Sequence, residues 1–288
     1  MRRAVIDIGT NTVKLLVADV SDRQCVPAVA KDRTTRLGEG VEESRRLLPV
    51  AMDRTVRAIQ DFLAEARALG ATDCVAVATS AARDAANRDE FLGQVRHACG
   101  LDVELISGER EAELIFRGVS SDPEWSGAPI LVVDVGGGSA EFIQGRDGKM
   151  EVFQSLPLGA LRLTEKFGEG RCAKLCEYLR AMLTPALAGY HAGGYRMIAT
   201  GGTMVTLARV ECGTVDHATI SREKLKALVR RLEVMPLAER KKVPGLPPER
   251  ADIIVAGGAV LLVAMEILGA SELAVSVRNL RYGVVVSD

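Results

Sequence analysis

The chain has 288 residues with 37 Lys+Arg against 38 Asp+Glu, 48% hydrophobic and only 4% aromatic residues, which excludes a disordered chain and supplies enough apolar content for two domains with real cores. A net charge of −1 excludes a protein that coats duplex nucleic acid, whose footprint shows as an excess of Lys and Arg. Six sparse cysteines (25, 74, 99, 172, 176 and 212) exclude a disulfide scaffold, and the apolar uncharged run Ile253 to Met265, only 13 residues long, falls short of a membrane-spanning helix of about 20.

The chain opens on Met1-Arg2-Arg3 and only three apolar residues before Asp7, so there is no signal-peptide core, and a reducing, cytoplasmic setting without a membrane partner is expected. Residues Ala4 to Asp19 read as a strand, a tight turn at Gly9-Thr10-Asn11 and a second strand, with a third strand over 25–30. A helix follows from Pro49, with Met52, Val56, Ile59, Phe62, Leu63, Ala66 and Leu69 at helical spacing and Gly70 placed to end it. Cys74 to Ala78 is then a buried strand, Asp89 to Cys99 a helix, Val103 to Ile106 a strand and Glu109 to Val119 a helix.

The same order begins again at Ile130. The stretch Ile130 to Ile143 lies over the first hairpin with Asp134 on Asp7 and Gly136 on Gly9, an offset of 127 residues. Further on come a strand at Glu151 to Ser155, a helix over Cys172 to Ala188, a strand at Arg196 to Ala199, helices at Arg222 to Leu232 and Asp252 to Leu268, and a strand at Ala274 to Val277. Two copies of a βββαβαβα unit predict two similar α/β domains, 1–124 and 125–288, joined near Pro123 to Pro129 and facing each other across a cleft. The part before the join carries 17 basic and 21 acidic residues and the part after it 20 and 17, an asymmetry that lets a polyanion lean on the second half.

Asp134-Val-Gly-Gly-Gly-Ser-Ala-Glu141 follows a strand, and the missing side chains of Gly136, Gly137 and Gly138, with Ser139 after them, let backbone N–H groups approach an anion. The carboxylates of Asp134 and Glu141 repel phosphate directly and suit a hard divalent cation that bridges to it; the alternative is a tight hairpin with its acids on a wet rim. Asp7-Ile-Gly-Thr-Asn11 offers a carboxylate, a glycine turn at Gly9, a hydroxyl on Thr10 and an amide on Asn11, as the opposite jaw of a clamp. Arg83 and Lys14 are candidate cations for an oxyanion, or members of surface pairs. Glu111 lies on the apolar side of its helix, where loss of water raises a carboxyl pKa and suits a general base, whereas Glu113 is placed for an ordinary pair with Arg117. Ala199-Thr-Gly-Gly-Thr203 is a strand, a glycine turn at Gly201 and Gly202 and a helix start, shaped for a phosphate or nucleotide. Cys172 and Cys176 receive no role, His97, His191 and His217 have no triad-like setting, and the basic residues from Arg222 to Lys242 read as a solvated face.

Six segments in this order resemble the exopolyphosphatase / guanosine pentaphosphate phosphohydrolase (Ppx/GppA) family: Ala4-Val-Ile-Asp-Ile-Gly-Thr-Asn-Thr, Ile106-Ser-Gly-Glu-Arg-Glu-Ala-Glu-Leu-Ile-Phe, Val133-Asp-Val-Gly-Gly-Gly-Ser-Ala-Glu, Leu156-Pro-Leu-Gly-Ala, Ala199-Thr-Gly-Gly-Thr and Val277-Arg-Asn-Leu-Arg-Tyr-Gly. The resemblance spans essentially the whole chain. It implies two ribonuclease-H-like domains of the actin-like ATPase (ASKHA) kind with the active site between them, and release of terminal phosphate dependent on Mg²⁺ (or Mn²⁺). By motif it implies Glu111 as catalytic base, Asp134 and Glu141 as metal carboxylates, Asp7, Thr10 and Asn11 in a first phosphate loop, Gly136 to Ser139 in a second, and Arg83 at the cleft. Asn279 and Tyr282 depart from the family's usual Gly-Leu-Arg-Glu-Gly closing motif, and the chain stops at Asp288 without the further domains of longer members. The expected substrate is inorganic polyphosphate or guanosine pentaphosphate (pppGpp), in a homodimer. A kinase on the same fold and a non-catalytic polyphosphate or alarmone sensor are the rivals.

Overall fold

The computed structural model describes residues 1–21, 24–168, 172–191 and 193–287. Its first half is a five-stranded sheet in the order β3-β2-β1-β4-β5, built from β1 (Arg2–Ile8), β2 (Thr12–Ser21), β3 (Gln24–Thr34), β4 (Asp73–Ala78) and β5 (Val103–Leu105). The helices of this half are α1 (Val41–Ser44), α2 (Pro49–Ala68), α3 (Ser80–Asp84), α4 (Arg88–Cys99) and α5 (Gly108–Ser120). Pro49 starts α2, where its missing N–H costs nothing, and its stripe of Met52, Val56, Ile59, Phe62, Leu63 and Ala66 is buried while Asp53, Arg57, Gln60 and Asp61 face solvent. Beyond its end Gly70 takes φ +80°, a backbone that favours glycine.

The second half has a six-stranded sheet, β8-β7-β6-β9-β11-β10, from β6 (Ile130–Val135), β7 (Ala140–Arg146), β8 (Lys149–Leu156), β9 (Arg196–Thr200), β10 (Thr219–Ser221) and β11 (Glu272–Val275). Its helices are α6 (Ala160–Phe167), α7 (Cys172–Ala186), α8 (Gly201–Cys212), α9 (Arg222–Val234), α10 (Leu237–Arg240), α11 (Ile254–Leu268) and α12 (Leu280–Val285). The first five strands of this order repeat the first sheet in topology: two antiparallel pairings at one edge, then parallel pairing of β9 with β6 as of β4 with β1. The duplication read from the sequence is therefore present, with β10, α9 and α10 inserted before α11. The third strand runs to Thr34 rather than ending at 30, because the polar Lys31-Asp32-Arg33 stretch lies at a sheet edge. The short helices α1, α3, α6, α10 and α12 have too few residues to show a period and were not expected.

A central core lies between the sheets. Val5 and Leu16 of the first sheet and Ile130, Val132 and Ile143 of the second enclose Leu114, Phe116, Leu280 and Tyr282 of α5 and α12. Each helix crosses over: α5 follows the first sheet and packs on β7 and β8, while α12 follows the second and packs on β1 and β2. The two helices touch backbone to backbone, since a Cβ on Gly118 would lie 2.2 Å from the Asn279 carbonyl oxygen and one on Gly283 1.8 Å from that of Leu114. Gly283 closes the Arg-Asn-Leu-Arg-Tyr-Gly segment, so packing alone demands a glycine there.

Candidate active site

Each half presents its first hairpin turn to the space between the sheets. In the first, Asp7 stands across from Lys14 and Ile8 across from Val13, and the Gly9 N–H closes the turn on the Thr12 carbonyl at 3.1 Å. In the second, Asp134 stands across from Glu141 and Val135 across from Ala140, and the Gly136 N–H closes on the Ser139 carbonyl at 3.0 Å. The turns are the same structure written twice, with glutamate in the second where the first has lysine.

The glycines of the second turn serve two contacts. Behind it, the Ala160 N–H donates to the Gly136 carbonyl (2.9 Å) and the Leu161 N–H to that of Gly137 (3.0 Å). The N–H and C=O of a trans peptide point in opposite directions, so the amides of Gly137 and Gly138 turn away from α6 and toward the cleft, as an anion cradle requires. In front, the turn presses on the other half. A Cβ on Gly137 would lie 2.9 Å from Asn11 N, and one on Gly138 2.5 Å from both Thr10 Oγ1 and Ser80 Oγ. The triple glycine is thus needed as much for turn-to-turn packing as for anion approach.

Asp7, Glu111, Asp134 and Glu141 line one cleft together with Gly9, Thr10, Asn11, Thr12, Lys14, Gly136, Gly137, Gly138, Ser139, Gly202 and Thr203. Glu111 reaches it from the first turn of α5, whose N-cap Ser107 accepts the Arg110 N–H at 3.1 Å. Only 6% of Glu111 is exposed. Burial pushes its carboxyl up to about 7; the Arg83 guanidinium opposes the shift, and Asp7 and Asp134 add to it. Burial also raises Asp134, with Lys14 opposing and Asp7 adding. Glu141 is raised well above the usual carboxylate range by burial, then by Glu111 and Asp134, against the hydroxyls of Ser155 and Ser139. The Ser155 hydroxyl donates to Glu141 Oε1 at 2.9 Å.

Two expected site residues, Arg83 and Gly201, are not among those that line this cleft. Arg83 lines an adjoining groove that shares Ser139 with the cleft, and its Nη1 donates to Glu111 Oε2 at 3.1 Å and to the Ile106 carbonyl at 2.9 Å, so it orients the carboxylate. Gly201, at φ +81°, backs Asp134, whose Oδ1 would lie 1.9 Å from an added Cβ. Lys14 does face the cleft, with Nζ 3.6 Å from Asp7 Oδ2, and Glu113 makes the surface pair with Arg117 at 2.9 Å. Arg250 is the cleft residue that sequence reasoning missed. Its Nη2 donates to Thr12 Oγ1 at 3.1 Å, and Gly202 makes room for it, since a Cβ there would lie 2.3 Å from the guanidinium. The available signal was a lone cation shortly before the uncharged run of α11. Asn279, noted only as a departure, also lines the cleft.

The donor set suits a hard divalent cation. Asp7 is paired by Lys14 and Glu111 by Arg83, whereas Asp134 and Glu141, opposite each other across the hairpin, make no ion pair among the described residues, Lys14 acting on Asp134 only at longer range. No three acidic, histidine or cysteine side chains form a metal cage among the described residues; Mg²⁺ takes one or two carboxylates and completes its shell with water and phosphate. Asn11 Oδ1 is buried in the cleft wall without a partner, and with the amide turned over its Nδ2 would be a free donor to a phosphate oxygen.

Comparison with known proteins agrees with this geometry. The profile of the Ppx/GppA phosphatase family matches residues 16–288. The chain is 33% identical over 301 residues to exopolyphosphatase 1 of Mycobacterium tuberculosis, covering 99% of this chain and 88% of that one. It is 28% identical to a guanosine-5'-triphosphate,3'-diphosphate pyrophosphatase of Aeromonas hydrophila, covering 98% of this chain and 58% of the relative. A solved exopolyphosphatase from Cytophaga hutchinsonii superposes with a TM-score of 0.91 at 27% identity, covering 99% of this chain and 96% of that one. Two facing ribonuclease-H-like sheets of the actin-like ASKHA type, the matching profile and these relatives lead to one conclusion: the chain belongs to the Ppx/GppA phosphatase family.

Proposed function

We propose that the chain is a phosphoanhydride hydrolase that releases terminal orthophosphate from inorganic polyphosphate. The observation that carries this reading is Glu111, a buried carboxyl raised to about 7 that shares one cleft with two phosphate-binding turns. Glu111 orients a water molecule and accepts its proton as the water oxygen bonds to the terminal phosphorus and the bridging P–O bond breaks, leaving a chain one phosphate shorter. Arg83 holds that carboxylate in place. The amides of the second turn and the Thr10, Asn11 and Thr12 side chains of the first receive the phosphoryl oxygens, and Lys14 and Arg250 add positive charge on the cleft wall. Asp134 and Glu141 would hold Mg²⁺ or Mn²⁺, which when bound neutralises charge on the phosphoryl oxygens.

The Aeromonas relative favours a second substrate of the same chemistry, guanosine pentaphosphate, cut at its terminal 5'-phosphate. A purely binding sensor of polyphosphate gains nothing from four buried carboxylates where its polyanion must sit. A cytoplasmic location is supported by the sparse cysteines, and a homodimer by the family resemblance. The test is phosphate release with Mg²⁺ from short polyphosphates, long polyphosphates and guanosine pentaphosphate, beside Glu111→Gln. The variant is expected to keep its fold and to lose about 10² to 10⁴ in rate; near-normal release by it would reject the assignment of the base.

A further inference from the structure

Arg162, on the α6 helix that backs the second turn, has no place in the chemistry above, yet it is largely buried. Its Nε donates to the Gly138 carbonyl at 2.8 Å. The other edge of the same guanidinium reaches into the first half, where it binds the carboxylates of Glu42 on α1 and, at 2.5 Å, Asp84 at the end of α3. One turn further along α6, Glu165 Oε1 accepts the Gly40 N–H of the first half at 2.9 Å. With the Gly136 and Gly137 carbonyls already held by α6 backbone amides, Arg162 secures the third glycine carbonyl of the turn.

We infer that Arg162 is a positioning residue that makes the orientation of the second phosphate turn depend on contact between the two halves; this rests on the phosphate-binding reading of that turn. The peptide whose carbonyl Arg162 holds also carries the Ser139 N–H, and fixing the one aims the other into the cleft. A guanidinium does this because its planar fork presents donors on two edges at once, one for the carbonyl and one for the carboxylates. When the halves part, Glu42 and Asp84 move away with the first half, the fork loses what fixes its rotamer, and the Gly138–Ser139 peptide is free to turn. Closure and completion of the anion cradle are then one event.

The experiment separates the two edges of the fork, using tripolyphosphate with Mg²⁺ as substrate and small-angle scattering to measure separation of the halves. Arg162→Lys keeps a cation for Glu42 and Asp84 but cannot also span to the Gly138 carbonyl. It is expected to lower kcat by up to about 10²-fold, the cost of a misplaced contact group, with KM and closure little changed. The Glu42→Gln/Asp84→Asn pair leaves the guanidinium in place but removes what fixes its rotamer; it is expected to open the halves, to raise KM several-fold and, because the Gly138–Ser139 peptide is released with the contact, to lower kcat about as far as Arg162→Lys does. Melting temperatures show that each variant folds. A Glu42/Asp84 pair that opens the halves with kcat unchanged, a loss confined to KM in Arg162→Lys, or no change in either variant overturns the inference. Should the unaltered chain release no phosphate, the hydrolase reading falls separately, and calorimetric tripolyphosphate binding together with the scattering decides on Arg162: unchanged binding and closure in both variants overturns it.

Discussion

The two hairpins of the cleft share a register and a turn closure, and differ most tellingly at one position, where Lys14 faces Asp7 in the first and Glu141 faces Asp134 in the second. The first hairpin is internally neutral, and its turn carries side-chain donors in Thr10, Asn11 and Thr12. The second is doubly acidic, offers amides in place of side chains, and has no cation of its own. On the function proposed above, a duplicated unit has divided the work: one copy supplies side-chain donors beside a carboxylate already paired by lysine, while the other supplies two carboxylates that would hold a divalent cation. The difference lies in residue type at equivalent positions, so it can be attacked residue by residue.

Glu141→Lys makes the second hairpin a chemical copy of the first and should have the largest effect. Phosphate release is expected to fall by about 10²-fold or more, as for the loss of a major electrostatic stabiliser, while the metal-free protein melts higher because Asp134 gains a partner. Retained activity would show that the asymmetry is irrelevant. Gly138→Ala places a methyl against Thr10 and Ser80 and should force the halves apart, costing about 1–3 kcal/mol in thermal or denaturant unfolding. Gly136→Ala, whose added Cβ meets only the Ser139 carbonyl at 3.3 Å, should cost less, and the reverse order would contradict the turn-to-turn packing.

A smaller effect concerns pH. Glu111 keeps its proton up to about 7 when folded but loses it near 4.5 when unfolded. The unfolded chain therefore binds fewer protons across that window, and stability falls as pH rises from about 4.5 to about 7. Melting of the metal-free protein should shift downward by a few degrees over this range, and the shift should shrink in Glu111→Gln; parallel curves for the two proteins would show that the carboxyl is not strained. The smallest effect is expected at Glu113, whose half-exposed pairs with Arg110 and Arg117 make Glu113→Gln neutral to within about 0.5 kcal/mol of unfolding free energy.

Both hairpins, the offset between them and the apolar setting of Glu111 could be read from the sequence, because hairpin register and helix period are fixed by neighbours a few residues away. What lay hidden was set by distant contacts. Arg250 touches Thr12 across the cleft, and the bond from Arg83 to Glu111 joins residues 28 positions apart. The glycine run was read as an anion loop, but the need for it to lie flat on Thr10 and Asn11 belongs to the other half and leaves no local mark. The closing segment departs from the usual family pattern at Asn279 and Tyr282 yet retains Gly283, where the backbone of α5 leaves no room for a side chain.

The crossing of α5 and α12 also bears on how the chain is made. Strand β1 is covered by α12, which is synthesised roughly 270 residues after it, and Arg3 donates to the Ser287 carbonyl at 2.9 Å. This part of the first sheet's inner face therefore stays uncovered until α12 has been made, and a nascent chain halted before α12 exposes Val5 and Leu16 as a sticky surface for a chaperone to shield.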